Sequence, residues 1–365
     1  PNQIQKAAEK LKKSKQPIII SGGGVLYSEA EEEISAFAKK HNIPVTATVM
    51  GIGCMNKDDP YYISAIGCLG EGSSNNLATD TDLALAVGTK LGDFTTGSWT
   101  NFENEQFQLV SINTSRFDTT KHRATPVVSD AKIGLKELSK ALGDWKAPDI
   151  WYQRSIEERK KWDEYVAKES GPTNQELPSY AHAVGAVYRN SDPSDIVVTA
   201  AGGLVGEVVQ IWKPKELNTF ETEWGFSCMS YEISGALGIK MAKPDQDVIV
   251  FVGDGSYLLQ NSDIYSSVLY DKKLIIVVCD NGGHMVINRL QLAKGGKEYL
   301  CNLKSARASK FVEVDFAAHA ASMGAETETV TSTSELEAAF LRAKKSDKTY
   351  VISIKTHGYE WLEGT

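Results

Sequence analysis

Two polar tips carry the residue types from which ligand chemistry can be built. Val248-Ile-Val-Phe-Val-Gly-Asp-Gly-Ser256 is an apolar strand run that ends at Asp254 between two glycines. Leu274-Ile-Ile-Val-Val-Cys-Asp-Asn-Gly-Gly283 is a second such run, ending at Asp280-Asn281. Open α/β sheets gather ligands outside the carboxyl ends of their strands, so Asp254 and Asn281 are expected to share one crevice. Asp254 offers a hard anionic oxygen, Asn281 a neutral amide oxygen, and Gly283 a backbone carbonyl. A magnesium ion takes about six oxygens at roughly 2.1 Å and draws part of that shell from phosphates and water. The expected metal ligands are therefore Asp254, Asn281 and Gly283, with a diphosphate supplying further oxygens. Gly253 and Gly255 let the backbone approach such a group, and Ser256 opens a helix whose N–H groups point toward it. Taken alone, Gly-Asp-Gly after a strand reads as a tight turn. The second strand and second tip are what favour the binding reading.

The elements that must hold these tips are legible as alternating strands and helices. A helix over 261–269 fits between the two runs, which makes the strands adjacent and parallel. Further strands are expected at 17–20, 44–48, 83–87, 108–112, 196–199 and 350–354, with helices at 4–13, 28–40, 231–242, 316–323 and 334–343. The fold class is α/β: two doubly wound parallel-sheet domains. The first, with a dinucleotide-binding-like shape, is expected over 1–148. A surface helix within 149–172 links it to a diphosphate- and magnesium-binding domain over 173–365.

Of the 365 residues, 42% are hydrophobic and 24% charged, and the net charge is −8. Such a chain can bury sizeable cores, and its acidic balance argues against nucleic acid or an anionic membrane as partner. Its basic runs, Lys6–Lys15 and Arg159–Lys161, read as solvated helix faces. Five cysteines without a CxxC pair fit a reducing, cytoplasmic setting, and six histidines show no metal-ligand spacing.

Gly253-Asp254-Gly255, with Asn281 twenty-seven residues after the aspartate, resembles the signature of the thiamine-diphosphate enzyme superfamily that includes pyruvate decarboxylase and acetolactate synthase. Asp280 departs from the Asn usual at the first position of the second tip. The resemblance implies thiamine diphosphate and Mg2+ as cofactors. It places Met229 beneath the thiazolium ring, and it places Gly202 and Gly203, in Ala200-Ala-Gly-Gly-Leu204, against the diphosphate. Within the superfamily, Gly225-Phe-Ser-Cys-Met-Ser-Tyr-Glu-Ile-Ser-Gly235 and Ile287-Asn-Arg-Leu-Gln291 are similar to the cyclic-dione hydrolases of myo-inositol breakdown. That implies a small-molecule substrate, a cyclic dione opened to 5-deoxy-glucuronate by hydrolysis of the carbon–carbon bond between its carbonyls. It also implies a homodimer or tetramer, and a promoting Glu on an N-terminal pyrimidine domain. Pro1 opens the chain in place of Met, and the expectation is a fragment without that domain, inactive alone, whose own catalytic residues are unknown.

Several residues admit two readings. Glu232 reaches the site or is a partner-satisfied or exposed acid. His284 is an acid or base in a gate loop, or a mobile surface residue. Asn288 and Arg289 bind substrate hydroxyls or are solvated. Met229 is the cofactor wedge or core filler. Rival functions are an acetolactate-synthase-like enzyme or 2-oxo acid decarboxylase with the same cofactor, and a non-catalytic regulatory or dinucleotide-binding fragment. The last draws on Gly22-Gly23-Gly24, which lacks the full G-x-G-x-x-G spacing.

Overall fold

The computed structural model describes residues 1–305 and 312–364. The chain divides into two compact units, one of Pro1–Tyr165 with Lys213–Asn218, the other of Val166–Trp212 with Thr219–Glu363.

The first unit is built on β1 (Pro17–Ser21), β2 (Val45–Ala47), β3 (Tyr62–Ala65), β4 (Leu83–Val87), β5 (Gln108–Asn113) and β6 (Thr125–Val128). Their order is β3-β2-β1-β4-β5-β6, and every pairing is parallel, the doubly wound arrangement of dinucleotide-binding folds. The chain reverses direction across the sheet between β1 and β4. At that point a Cβ on Gly22 would lie 2.5 Å from the Gly88 carbonyl oxygen, and one on Gly24 would lie 2.6 Å from the Gly88 Cα. The glycine triplet thus serves a close backbone crossing between the β1 and β4 tips, which accounts for it without a nucleotide.

Ile18, Ile20, Ala84, Ala86 and Leu109 form the centre of this unit's core together with Trp151. Helix Asp149–Glu169, expected as a surface element, therefore contributes to the core: Trp151 is buried and its indole N–H donates to the Pro17 carbonyl at 2.8 Å. Arg159 of the same helix, expected to be solvated, donates to the carbonyls of Asp59 at 2.9 Å and Tyr62 at 2.7 Å. A guanidinium with several fixed donors is well suited to tie down a loop in this way.

The second unit holds β7 (Ile196–Thr199), β8 (Phe220–Thr222), β9 (Val248–Gly253), β10 (Ile275–Asp280), β11 (Glu326–Val330) and β12 (Tyr350–Lys355). Their order is β11-β12-β10-β9-β7-β8, again parallel throughout. Val248, Val250, Val252, Ile276 and Val278 are fully buried on one face with Ile233 and Tyr257. Helices cover both faces of a parallel sheet, so its central strands are continuous apolar runs. Register pairs Val252 with Val278 and Gly253 with Cys279, which brings the two polar tips to the same level of the sheet.

The space between β9 and β10 contains two helices, Asp254–Leu259 and Asp263–Leu269, where one was expected. The first starts at Asp254 itself and extends only six residues. All five cysteines are free thiols. Among the described residues, no helix is long and apolar enough to cross a membrane.

Candidate functional site

The site is assembled from three strand tips of the second unit: β7, β9 and β10. Asp254 is the first residue after β9 and is 2% exposed. Gly255 and Gly283 N–H groups donate to its carboxylate, whereas Oδ2 is buried without any partner. Burial, and then the like charge of Asp280, push its pKa up to about 7. Asn281 follows β10, and its Oδ1 is also buried and unpartnered. Two orphaned hard oxygens on adjacent strand tips are costly to bury. A bound dication resolves both, because it favours the charged carboxylate and needs oxygen donors. The residues present therefore fit magnesium. No group of three or more His, Cys, Asp or Glu side chains is placed for a metal among the described residues, so a cation here must also draw on amide and carbonyl oxygens. Gly283, at φ +144, passes so close to Cys301 that a Cβ would lie 2.2 Å from its carbonyl oxygen.

The β7 tip supplies Gly202 and Gly203. Gly202 has φ +80 with open space on its side-chain face, and Gly203 packs under Trp361, whose ring would be 2.1 Å from a Cβ there. Trp361 was not singled out in the sequence. It lies in a C-terminal tail that folds back over helix Leu204–Ile211, with the Leu362 N–H donating to Glu207 at 2.9 Å. The ring also makes an edge contact with Tyr180, centroids 5.7 Å apart, and lies beneath the Arg289 guanidinium at 5.5 Å.

Met229 is 37% exposed, so it is not core filler. A Cβ on Gly255 would meet the Met229 methyl at 3.6 Å and the His284 ring at 2.8 Å. Met229, Gly255 and His284 thus converge on one spot beside Asp254. His284 is exposed at the start of helix Met285–Ala293, its N–H donating to the Cys301 carbonyl at 2.9 Å. Asn288, read as a substrate ligand or a solvated residue, is 1% exposed, and its amide donates to Glu298 at 2.6 Å. Ser256 directs its hydroxyl to the buried Glu232 carboxylate, at 3.1 and 3.0 Å from the two oxygens, which leaves only its backbone for a ligand. A cavity of about 300 Å³ adjoins these tips and is lined by Asp280, Asn281, Thr356, His357 and Tyr359 among others.

Paired orphan oxygens and small residues at the tips of a parallel sheet are features suited to a diphosphate held through a cation. Residues 4–138 match the family model "Thiamine pyrophosphate enzyme, central domain", and residues 200–354 match "Thiamine pyrophosphate enzyme, C-terminal TPP binding domain". The chain belongs to this family. Among curated proteins it is 34% identical to a 3D-(3,5/4)-trihydroxycyclohexane-1,2-dione hydrolase from Halalkalibacterium halodurans, over 98% of this chain and 61% of that protein. Hydrolases of the same name from Bacillus anthracis and Geobacillus thermodenitrificans are each 33% identical, over 97% and 98% of this chain. The chain spans 61% of the length of each of these relatives.

Proposed function

We propose that this chain provides the diphosphate- and magnesium-binding part of an enzyme that hydrolyses the carbon–carbon bond between the two carbonyls of trihydroxycyclohexane-1,2-dione. The observation that carries the reading is the pair of buried, unpartnered oxygens, Asp254 Oδ2 and Asn281 Oδ1, in a chain that matches the family's TPP-binding domain. The named relatives support the choice of substrate.

In this reading Asp254, Asn281 and the Gly283 carbonyl hold Mg2+. The Gly202–Gly203 turn and the backbone of Gly253–Ser256 receive the diphosphate. Met229, beside Gly255, would wedge the cofactor into its reactive shape. When bound, the thiazolium supplies an electron sink for cleavage of the bond. His284, whose ring also lies beside Gly255, is placed to hold or move a proton at a substrate oxygen.

The test is calorimetric titration of thiamine diphosphate, with and without magnesium, into the intact protein and its Asp254→Ala variant. Magnesium-dependent binding that disappears in the variant is expected, since two neutral oxygens are left to hold a dication. Wild-type affinity in the variant would end the metal assignment. Turnover of pyruvate in place of the cyclic dione would move the protein to the synthase or decarboxylase branch.

A further inference from the structure

Glu232 lies on the second residue of helix Tyr231–Ala242 and is 1% exposed. Its carboxylate accepts the Ser256 hydroxyl on both oxygens, at 3.1 and 3.0 Å, and the Ala201 N–H at 3.3 Å. Backbone N–H groups of Ser230 and of Glu232 itself also approach it, and these donors partly offset the burial that pushes its pKa up. The donors come from three places: the β7 tip, the β9 tip and the start of its own helix.

A second set of bonds closes the cluster. The Ser230 N–H donates to the Ser256 hydroxyl oxygen at 2.7 Å, and the Ser230 hydroxyl donates to the Ser256 carbonyl at 2.7 Å. Ser227 donates to the Ala200 carbonyl at 3.2 Å. Ser230 itself has φ +77, a strained conformation for a residue with a Cβ, tolerated only where surrounding bonds over-determine it. It directly follows Met229, so the bonds that hold Ser230 also set where Met229 points.

A buried carboxylate is a poor choice for stability alone, because an apolar residue of similar volume avoids its desolvation. Its advantage is geometric: one acceptor group can gather donors from several segments and hold them in a single arrangement. We infer that Glu232 is a positioning residue that locks the β7 tip, the β9 tip and the Met229 turn into the arrangement that receives the cofactor. It touches neither the proposed metal ligands nor the reacting atoms, and it acts through Ala201, Ser230 and Ser256. The inference rests on the reading of these tips as a diphosphate site.

The experiment measures the Kd of thiamine diphosphate at saturating magnesium for the intact protein, Glu232→Ala and Glu232→Gln, at a temperature where circular dichroism shows each folded. Thermal midpoints are recorded with and without cofactor. Glu232→Ala strands the Ala201 N–H and the Ser256 hydroxyl, and its Kd is expected to rise at least tenfold. Glu232→Gln keeps one acceptor oxygen and should be intermediate, about threefold weaker than wild type. The midpoint should drop further in the presence of cofactor than in its absence, which a purely structural residue would not produce. If Glu232→Ala does not fold, Glu232→Gln decides alone: a Kd at least threefold weaker supports the role, and an unchanged Kd overturns it. Wild-type protein that fails to bind thiamine diphosphate at all would sink the functional reading, a result distinct from equal binding by wild type and variants.

Discussion

Asp254 meets two opposed demands at one atom pair. Without a cation, burial and the neighbouring Asp280 raise its pKa to about 7, against roughly 3.9 for a free aspartate. The native state then holds a proton that the unfolded chain releases, so its stabilising contribution is complete below about pH 4 and is lost as pH rises through 7. The metal-free protein should lose more thermal stability between pH 5 and pH 8 than its Asp254→Asn variant, which has no such proton to release. Parallel melting profiles would show that Asp254 does not titrate there. Asp254, Asn281 and the glycines were legible in the sequence because hard oxygens on two strand tips imply one kind of chemistry. Glu232 stood out only as an acid in an apolar helix, with its partners unreadable, and Trp361 gave no signal. Their partners, Ala201 and Ser256 for one and Gly203 for the other, lie far along the chain, and only the folded sheet brings them together.

At the level of elements, the strands read directly from the sequence are the interior ones. The four strands that escaped it, β3, β6, β8 and β11, are the four sheet edges. Edge strands pair on one side only and are short or polar: Phe220–Thr222 has three residues, and Glu326–Val330 alternates Glu and Thr, with a buried position only at its end. The alternation of buried strands and helices was enough to specify the parallel doubly wound class, since parallel neighbours require crossovers. The crossing of the β1 and β4 tips was invisible, because a glycine triplet after a strand does not say which other backbone approaches it. If the contact is what matters, Gly24→Ala forces a methyl group against the Gly88 backbone at 2.6 Å. It should cost about 2–4 kcal/mol in urea unfolding of the first unit, through strain that a rigid backbone cannot relieve. Unchanged stability would return the triplet to a ligand role.

On the scale of the whole molecule, each unit has a buried core of its own. Two separately cored sheets are expected to unfold as two calorimetric transitions, so a single unfolding free energy is not defined for this chain. Thiamine diphosphate with magnesium should raise only the transition of the second unit, because only that unit contributes the proposed ligands. The gain is about 2.7 kcal/mol at a hundredfold excess over Kd. One merged transition, or an equal upward shift of both, would refute the separation. The family models follow the same division, since the central-domain match ends at residue 138 and the TPP-binding match begins at residue 200.

Trp361 gives the molecule an optical property. Its indole rests on Gly203, beside Tyr180 and beneath the Arg289 guanidinium, and thus packs on the very turn proposed to receive the diphosphate. Emission from this ring responds to the charge and rigidity of that turn, so loading of the site can be followed without an added dye. Six other tryptophans contribute background, which a Trp361→Phe variant subtracts.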